Sequence, residues 1–211
     1  GLITAWKLLE NNWSVEIFEK GEIVGGMCRT WKWNDFLVDT GPHIYHTPDK
    51  LLEAFWEKNF GHLLIKGEFC CKNVRGKNYN EYWDYPLSWE SISKYSKDLK
   101  KKIISELSDY NAEKKARAKN FDEYMIAQLG ETLTNMFFRK YPKKIWGINT
   151  NEMTPDWAPK RIEIRQHITP FYYGQFNAVG KYGTGCIYEN IKEKILKLGG
   201  KIYFNSNVNG I

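Results

Sequence analysis

The chain has 211 residues, of which 42% are hydrophobic and 16% aromatic, with a formal net charge of +6. That composition excludes a disordered chain, and the longest apolar runs fall well short of the roughly 20 residues that span a bilayer. The basic balance suits a partner carrying phosphate; no nucleic-acid-binding motif accompanies it, so a nucleic-acid partner is not expected.

The first element is an apolar helix from Leu2 to Leu9, followed by a short strand, Val15 to Phe18, that ends on Glu19-Lys20. Gly1-Leu2 reads as the last glycine of a G-x-G-x-x-G loop and the first residue of the helix it opens. The sequence is therefore expected to be a piece of a longer chain. A carboxylate at the end of the second strand, roughly 20 residues past the glycine turn, accepts ribose hydroxyls in dinucleotide folds. Gly25-Gly26 then lets backbone N–H groups approach a diphosphate, because no Cβ stands in the way. Arg29-Thr30 adds a forked positive charge beside the same phosphates. Gly41-Pro42-His43 is a rigid turn carrying a polar ring, suited to the edge of a planar cofactor. Together these loops read as a flavin site, with FAD as the expected cofactor.

Beyond residue 47 the order of elements changes. Thr47 is expected to cap a helix with Pro48 at its first position, apolar on the face of Leu51, Leu52, Phe55 and Trp56 and stopped by Gly61. A β-rich patch follows, from Leu63 to Val74 and from Tyr82 to Leu87. The segment Ser88 to Lys119 is helical, long and charged, with its lysines on a solvated face. Phe121 to Leu129 and Thr132 to Tyr141 add two helices, and Ile162 to Phe176 alternates loosely enough for a strand or two. Gly183-Thr184-Gly185 opens a helix that runs to Leu198; Gly199-Gly200 ends it, and the strand Lys201 to Phe204 follows. The expected fold is thus α/β: a discontinuous Rossmann-like FAD-binding domain over residues 1–47 and 180–211. A mainly helical α+β substrate domain, 48–179, is inserted in it.

Cys28, Cys70, Cys71 and Cys186 show no metal spacing and read as reduced thiols in a cytosolic protein. His43 and His46 are spaced like a metal pair, but no carboxylate or third histidine supports one, so no metal is expected. The tryptophans at 13, 31, 33, 56, 83 and 89 read as packing residues.

Two motifs, Gly41-Pro42-His43-Ile44-Tyr45-His46-Thr47 and Tyr141-Pro142-Lys143-Lys144-Ile145-Trp146-Gly147, make the chain resemble UDP-galactopyranose mutase. Its relatives in the flavin amine oxidase and protoporphyrinogen oxidase superfamily share the likeness. It extends over Asn120 to Tyr124, Phe137 to Tyr141 and Lys181 to Val208. The resemblance implies that Gly1, Glu19, Lys20, Gly25, Gly26, Arg29, Thr30, Gly41, Pro42, His43 and Val208 hold FAD, with Val208 beside the adenine. It also implies that Tyr141 stacks on a uracil and that Trp146 lies beside the sugar. Arg161 and Tyr172 hold the substrate near the flavin, with His43 in the same catalytic set, and Arg165 is a second candidate for the phosphates. The implied activity interconverts pyranose and furanose forms of a nucleotide sugar through N5 of reduced flavin.

Pro142 stands where the mutases carry threonine, and Asp156-Trp157-Ala158 reads more like the protoporphyrinogen-oxidase branch. An FAD-dependent oxidoreductase is therefore the alternative, and a flavin-binding relative without catalysis a third reading. The expected partner is a small molecule in the cytoplasm, with room for an external reductant and a homo-oligomer.

Overall fold

Apolar residues four apart build the first core. Ile187, Ile191 and Ile195 are all buried on one face of a helix and meet Ala5, Trp6 and Leu9 of another, the one-sided spacing that seats an amphipathic helix. A computed structural model describes residues 1–76, 78–158 and 162–210, and these form two units, 1–69 with 172–210 and 70–171.

In the first unit, α1 (Leu2–Glu10) leads into β1 (Glu16–Phe18). A hairpin follows, β2 (Thr30–Trp33) against β3 (Phe36–Asp39), turned by Asn34 in the left-handed region. Then come β4 (Tyr45–Thr47), α2 (Lys50–Phe60) and β5 (Leu64–Lys66). The cap of α2 is Asp49, not Thr47: its Oδ1 accepts the N–H groups of Leu51 (2.8 Å) and Leu52 (3.3 Å), and Thr47 supports Asp49 from outside the helix. A carboxylate gains from the helix dipole as well as from the hydrogen bonds, so it wins the capping position.

The second unit opens with the antiparallel pair β6 (Cys71–Arg75) and β7 (Glu81–Tyr85). Helices α3 (Trp89–Ser93), α4 (Lys97–Ser108) and α5 (Ala112–Ala116) stand where the sequence suggests one long helical segment. The side chains of Ser96 and Asn111 cap new helix starts, accepting the N–H of Leu99 and of Lys114, so the backbone stops and restarts. On α4, Ile103 is buried while Lys97, Lys101 and Lys102 are exposed, the solvated face expected.

Next come α6 (Phe121–Leu133), a π-turn over Thr134–Phe138 and α7 (Lys140–Trp146). The break falls at Gly130, whose φ of 79° is left-handed; a Cβ there would lie 2.6 Å from Glu106. The Glu106 carboxylate accepts both the N–H and the hydroxyl of Thr132 at 2.7 Å, and restarts the helix. Arg139, just before α7, donates from Nε and Nη2 to the two oxygens of Asp122 at 2.8 Å and also pairs with Glu131. Leu87, Ile92, Ile103, Phe121, Met125 and Leu133 form the core of this unit.

No strand forms between 162 and 171 among the described residues; Arg165 makes only a lone bridge to Ser88. The chain then re-enters the first unit through β8 (Phe176–Gly180), which lies between β4 and β5. Helix α8 (Gly185–Lys197) and β9 (Lys201–Tyr203) complete it, with β9 parallel to β1 in the register Glu16↔Lys201. This pairing brings the two ends of the first unit into one sheet. The units divide at 69/70 and 171/172, against boundaries of 47/48 and 179/180 read from the sequence, because α2, β5 and β8 pack with the first unit.

Four of the tryptophans read as packing residues are not buried. Trp13, Trp31, Trp33 and Trp89 are 64%, 40%, 67% and 38% exposed, whereas Trp56 and Trp83 pack against the cores of their units. Trp31 and Trp33 sit on a two-stranded hairpin, which has no second layer of its own sheet to cover them.

Candidate cofactor cradle and aromatic cavity

The cradle begins where β1 ends. Glu19 is half-buried, its N–H donates to the carbonyl of Tyr203, and its Oε1 accepts the N–H of Gly21 at 2.7 Å. A Cβ on Gly21 would lie 3.1 Å from Glu19 Oε1 and 3.9 Å from Nη1 of Arg29, so the acid and the guanidinium converge on one turn. Gly25 and Gly26 have φ of 105° and 54°, left-handed values that glycine adopts without strain. The space off Gly26 is open.

Arg29 lies with its guanidinium 4.8 Å from the centroid of the Trp31 ring. Its Nε and Nδ1 of His43 are both buried and take no hydrogen-bond partner among the described residues. Buried polar atoms are nearly always paired, and both of these belong to the residues assigned to the cofactor. An anionic diphosphate with an adjoining heteroaromatic ring offers the acceptors and polar edge they lack, so the cradle fits such a group. Gly41 is half-buried and Pro42 exposed; Gly1 caps the first helix with its backbone alone, and Lys20 and Val208 are solvent-exposed.

A carboxylate not singled out in the sequence holds this cradle together. Asp39 accepts the N–H of Thr184 (3.0 and 3.2 Å to its two oxygens), the hydroxyl of Thr184 (2.7 Å) and the hydroxyl of Thr30. Thr30 Oγ1 in turn accepts the N–H of Gly185 at 2.7 Å. Thr30 is thus engaged in joining β2 to the start of α8. Burial acts to raise the Asp39 carboxyl, but the bonds from Thr30 and Thr184 and the nearby His43 outweigh it and hold it below the ordinary value of 3.8. Thr40 donates to the carbonyl of Met27 and closes the hairpin onto the Gly26–Cys28 turn.

The sign of the pH effect follows. A carboxyl with a depressed pKa in the folded state adds stability above its unfolded value, and loses it as pH falls through the folded one. Asp39→Asn is therefore expected to lower stability at neutral pH and to flatten the fall in stability below about pH 4; urea unfolding at a series of pH values measures both.

Burial first, then the neighbouring Cys28, pushes the Tyr188 phenol up to about 12, and burial likewise raises Tyr45, so both stay protonated. His46, two residues past the expected cofactor turn, lies flat on Tyr172, with ring centroids 3.5 Å apart at 10°. Asn177 donates to the Tyr172 carbonyl at 2.6 Å and fixes that residue.

The second unit holds a cavity of about 200 Å³. Its lining includes Tyr85, Phe121, Phe137, Phe138, Tyr141, Trp157 and Phe171, with Cys71 and Asn73 from β6. Tyr141 sits in the first turn of α7 and is 55% exposed. Trp146, at the end of the same helix, meets Trp157 edge-on at 6.5 Å. Gly147 follows in the left-handed conformation that ends the helix. Arg165 does not line the cavity. Its Nε donates to Glu163, Nη1 to Thr169 Oγ1 and the carbonyl of Pro170, and Nη2 to the carbonyl of Phe171; it acts here as a clamp on its own loop. Arg161 lies outside the described residues.

Comparison with known proteins agrees with this geometry. Residues 1–58 match the NAD(P)-binding Rossmann-like domain family. Two curated relatives are a dTDP-fucopyranose mutase of Escherichia coli, 26% identical over 90% of this chain and 51% of its own, and a probable UDP-galactopyranose mutase of Klebsiella pneumoniae, 24% identical over 92% and 50%. The chain therefore spans about half the length of the curated relatives it matches. Among solved structures, reduced UDP-galactopyranose mutase superposes with a TM-score of 0.77 at 23% identity, covering 100% of this chain and 47% of that one. An oxidoreductase of Methanosarcina mazei gives 0.53 at 16%, covering 97% and 48%. Motifs, relatives and fold thus concur: the chain has a Rossmann-like α/β fold and is similar to the nucleotide-sugar mutases.

Proposed function

We propose that this chain is part of an FAD-dependent enzyme that interconverts the pyranose and furanose forms of a nucleotide sugar. The observation that carries the cofactor half is the pair of buried, unpartnered nitrogens, Arg29 Nε and His43 Nδ1, beside two left-handed glycines. The substrate half rests on the aromatic cavity around Tyr141 and on the two mutase relatives.

In this reading Glu19 accepts the ribose hydroxyls, while Gly25, Gly26 and Arg29 hold the diphosphate. Arginine suits that task because its planar fork matches phosphate oxygens and stays charged. Gly41, Pro42 and His43 meet the edge of the ring system. Reduced flavin, when bound, supplies an electron-rich ring nitrogen for the anomeric carbon of the sugar. The protein's own work is to orient substrate and exclude water, which is where positioning lowers a barrier. Tyr141 stacks on the nucleobase, Trp146 lies beside the sugar, and Tyr172, fixed by His46 and Asn177, holds substrate with Arg161. Arg161 is proposed on its place in the sequence alone. The inserted unit, residues 70–171, serves as the substrate domain, and an external reductant charges the flavin.

The oxidoreductase reading draws on the almost wholly apolar lining of the cavity, which also suits an amine or polyene. One experiment separates the two. The flavin-loaded protein is given UDP- and dTDP-sugars with and without prior reduction by dithionite, and sugar ring forms are followed by chromatography. Interconversion that needs reduction, yet consumes no reductant, is the expected result. Bleaching of oxidised flavin by a substrate in the absence of reductant would overturn it in favour of the oxidoreductase.

A further inference from the structure

We propose that Asn73 reads one edge of a pyrimidine seated in the aromatic cavity, and that the cavity prefers thymine to uracil. The inference rests on the nucleotide-sugar reading above and narrows its substrate to a thymidine diphosphate sugar.

The argument starts from β6. Residues two apart on a strand point to one side, so Cys71 and Asn73 both reach the cavity, and Tyr85, paired with Cys71 across the hairpin, lines it as well. Phe137, Phe138 and Tyr141 are supplied by the π-turn and α7. Among the described residues no Asp, Glu, Lys or Arg lines the space. Burial holds the Cys71 thiol above its ordinary value, so it is neutral too. A lining of this kind suits an uncharged, flat group.

Among the described residues, Asn73 is the one amide in that lining. An amide presents an acceptor and a donor side by side. That pair complements the N3–H and the neighbouring carbonyl oxygen shared by uracil and thymine. The same amide can also pair with the ring nitrogen and amine of cytosine or adenine, so it fixes the orientation of the base, and the choice of uracil or thymine rests on the nucleotide-sugar reading above. Once Asn73 holds the polar edge, the remaining C5–C6 edge faces carbon. The 5-methyl group of thymine then buries one more carbon, a gain of about fourfold in affinity.

The test is a titration of the whole chain with dTDP, dUDP, CDP and ADP, followed by the fluorescence of Trp157 and its neighbour Trp146. The nucleotides dTDP and dUDP differ only in the methyl group, so their ratio needs no variant. Binding of dTDP about fourfold tighter than dUDP is expected, with both at least tenfold weaker in Asn73→Leu that retains its circular dichroism and melting temperature. Equal or tighter binding of dUDP overturns the thymine preference and leaves the nucleotide-sugar reading standing. Unchanged binding in Asn73→Leu overturns the role of that amide. Failure of every nucleoside diphosphate to bind overturns both this inference and the reading beneath it.

Discussion

Arg29→Ala is expected to weaken FAD binding about a hundredfold, the worth of a charge-assisted hydrogen bond at its upper range. The physical case lies in how little else Arg29 does. Among the described residues its Nε is buried without a partner, and its guanidinium lies 4.8 Å from the centroid of the Trp31 ring. A guanidinium whose Nε is already buried and which is held beside a ring loses less freedom when phosphate oxygens arrive. Arg29→Lys should recover only part of the affinity, because a single ammonium has no fork. Quenching of flavin fluorescence on titration measures each variant. Equal affinity in wild type and Arg29→Ala would remove the diphosphate from this loop.

Gly183→Val is expected to give the largest loss of stability, about 4 kcal/mol. Two effects add. The φ of 76° lies where a side chain is strained, and a Cβ would stand 2.4 Å from Oγ1 and Cγ2 of Thr30. Thr30 has no room to retreat, since its hydroxyl is bonded to Asp39 and to the N–H of Gly185. Gly147→Ala provides the internal control. Its φ is 75°, nearly the same, but nothing lies within 4 Å of the added Cβ. That variant should lose only about 1–2 kcal/mol, the backbone strain alone. Urea unfolding of both distinguishes packing from conformation; similar losses in the two would contradict the close approach of Thr30 to α8.

Short-range signals made much of this legible. The glycine pair and the glycines before α8 each announce themselves within a few residues, and each forms the expected local structure. Helix α1 and strand β1 likewise follow from local pattern. Long-range choices were not legible. Asp39 and Thr184 are 145 positions apart, and an aspartate two residues before Gly41 carries no mark of that partner. Its place between Thr30 and the Gly-Thr-Gly run was the signal available. The cavity draws its walls from residues 71 to 171, so Asn73 and Trp157 could be joined only by folding. The splitting of the long helix was written in Ser96 and Asn111, but continuous charge periodicity masks a cap unless capping residues are weighed first. The partners of Arg165 were not legible either: an arginine near a substrate motif looks the same in sequence whether or not it bonds to four atoms of its own loop, as this one does.

The most direct measurement is a crystal structure of the protein grown with FAD. The account requires the diphosphate within hydrogen-bonding distance of Arg29 and the Gly25-Gly26 backbone, a ribose on the Glu19 carboxylate and the ring edge against His43. A flavin bound with its phosphates away from Arg29, or its ribose away from Glu19, would contradict it.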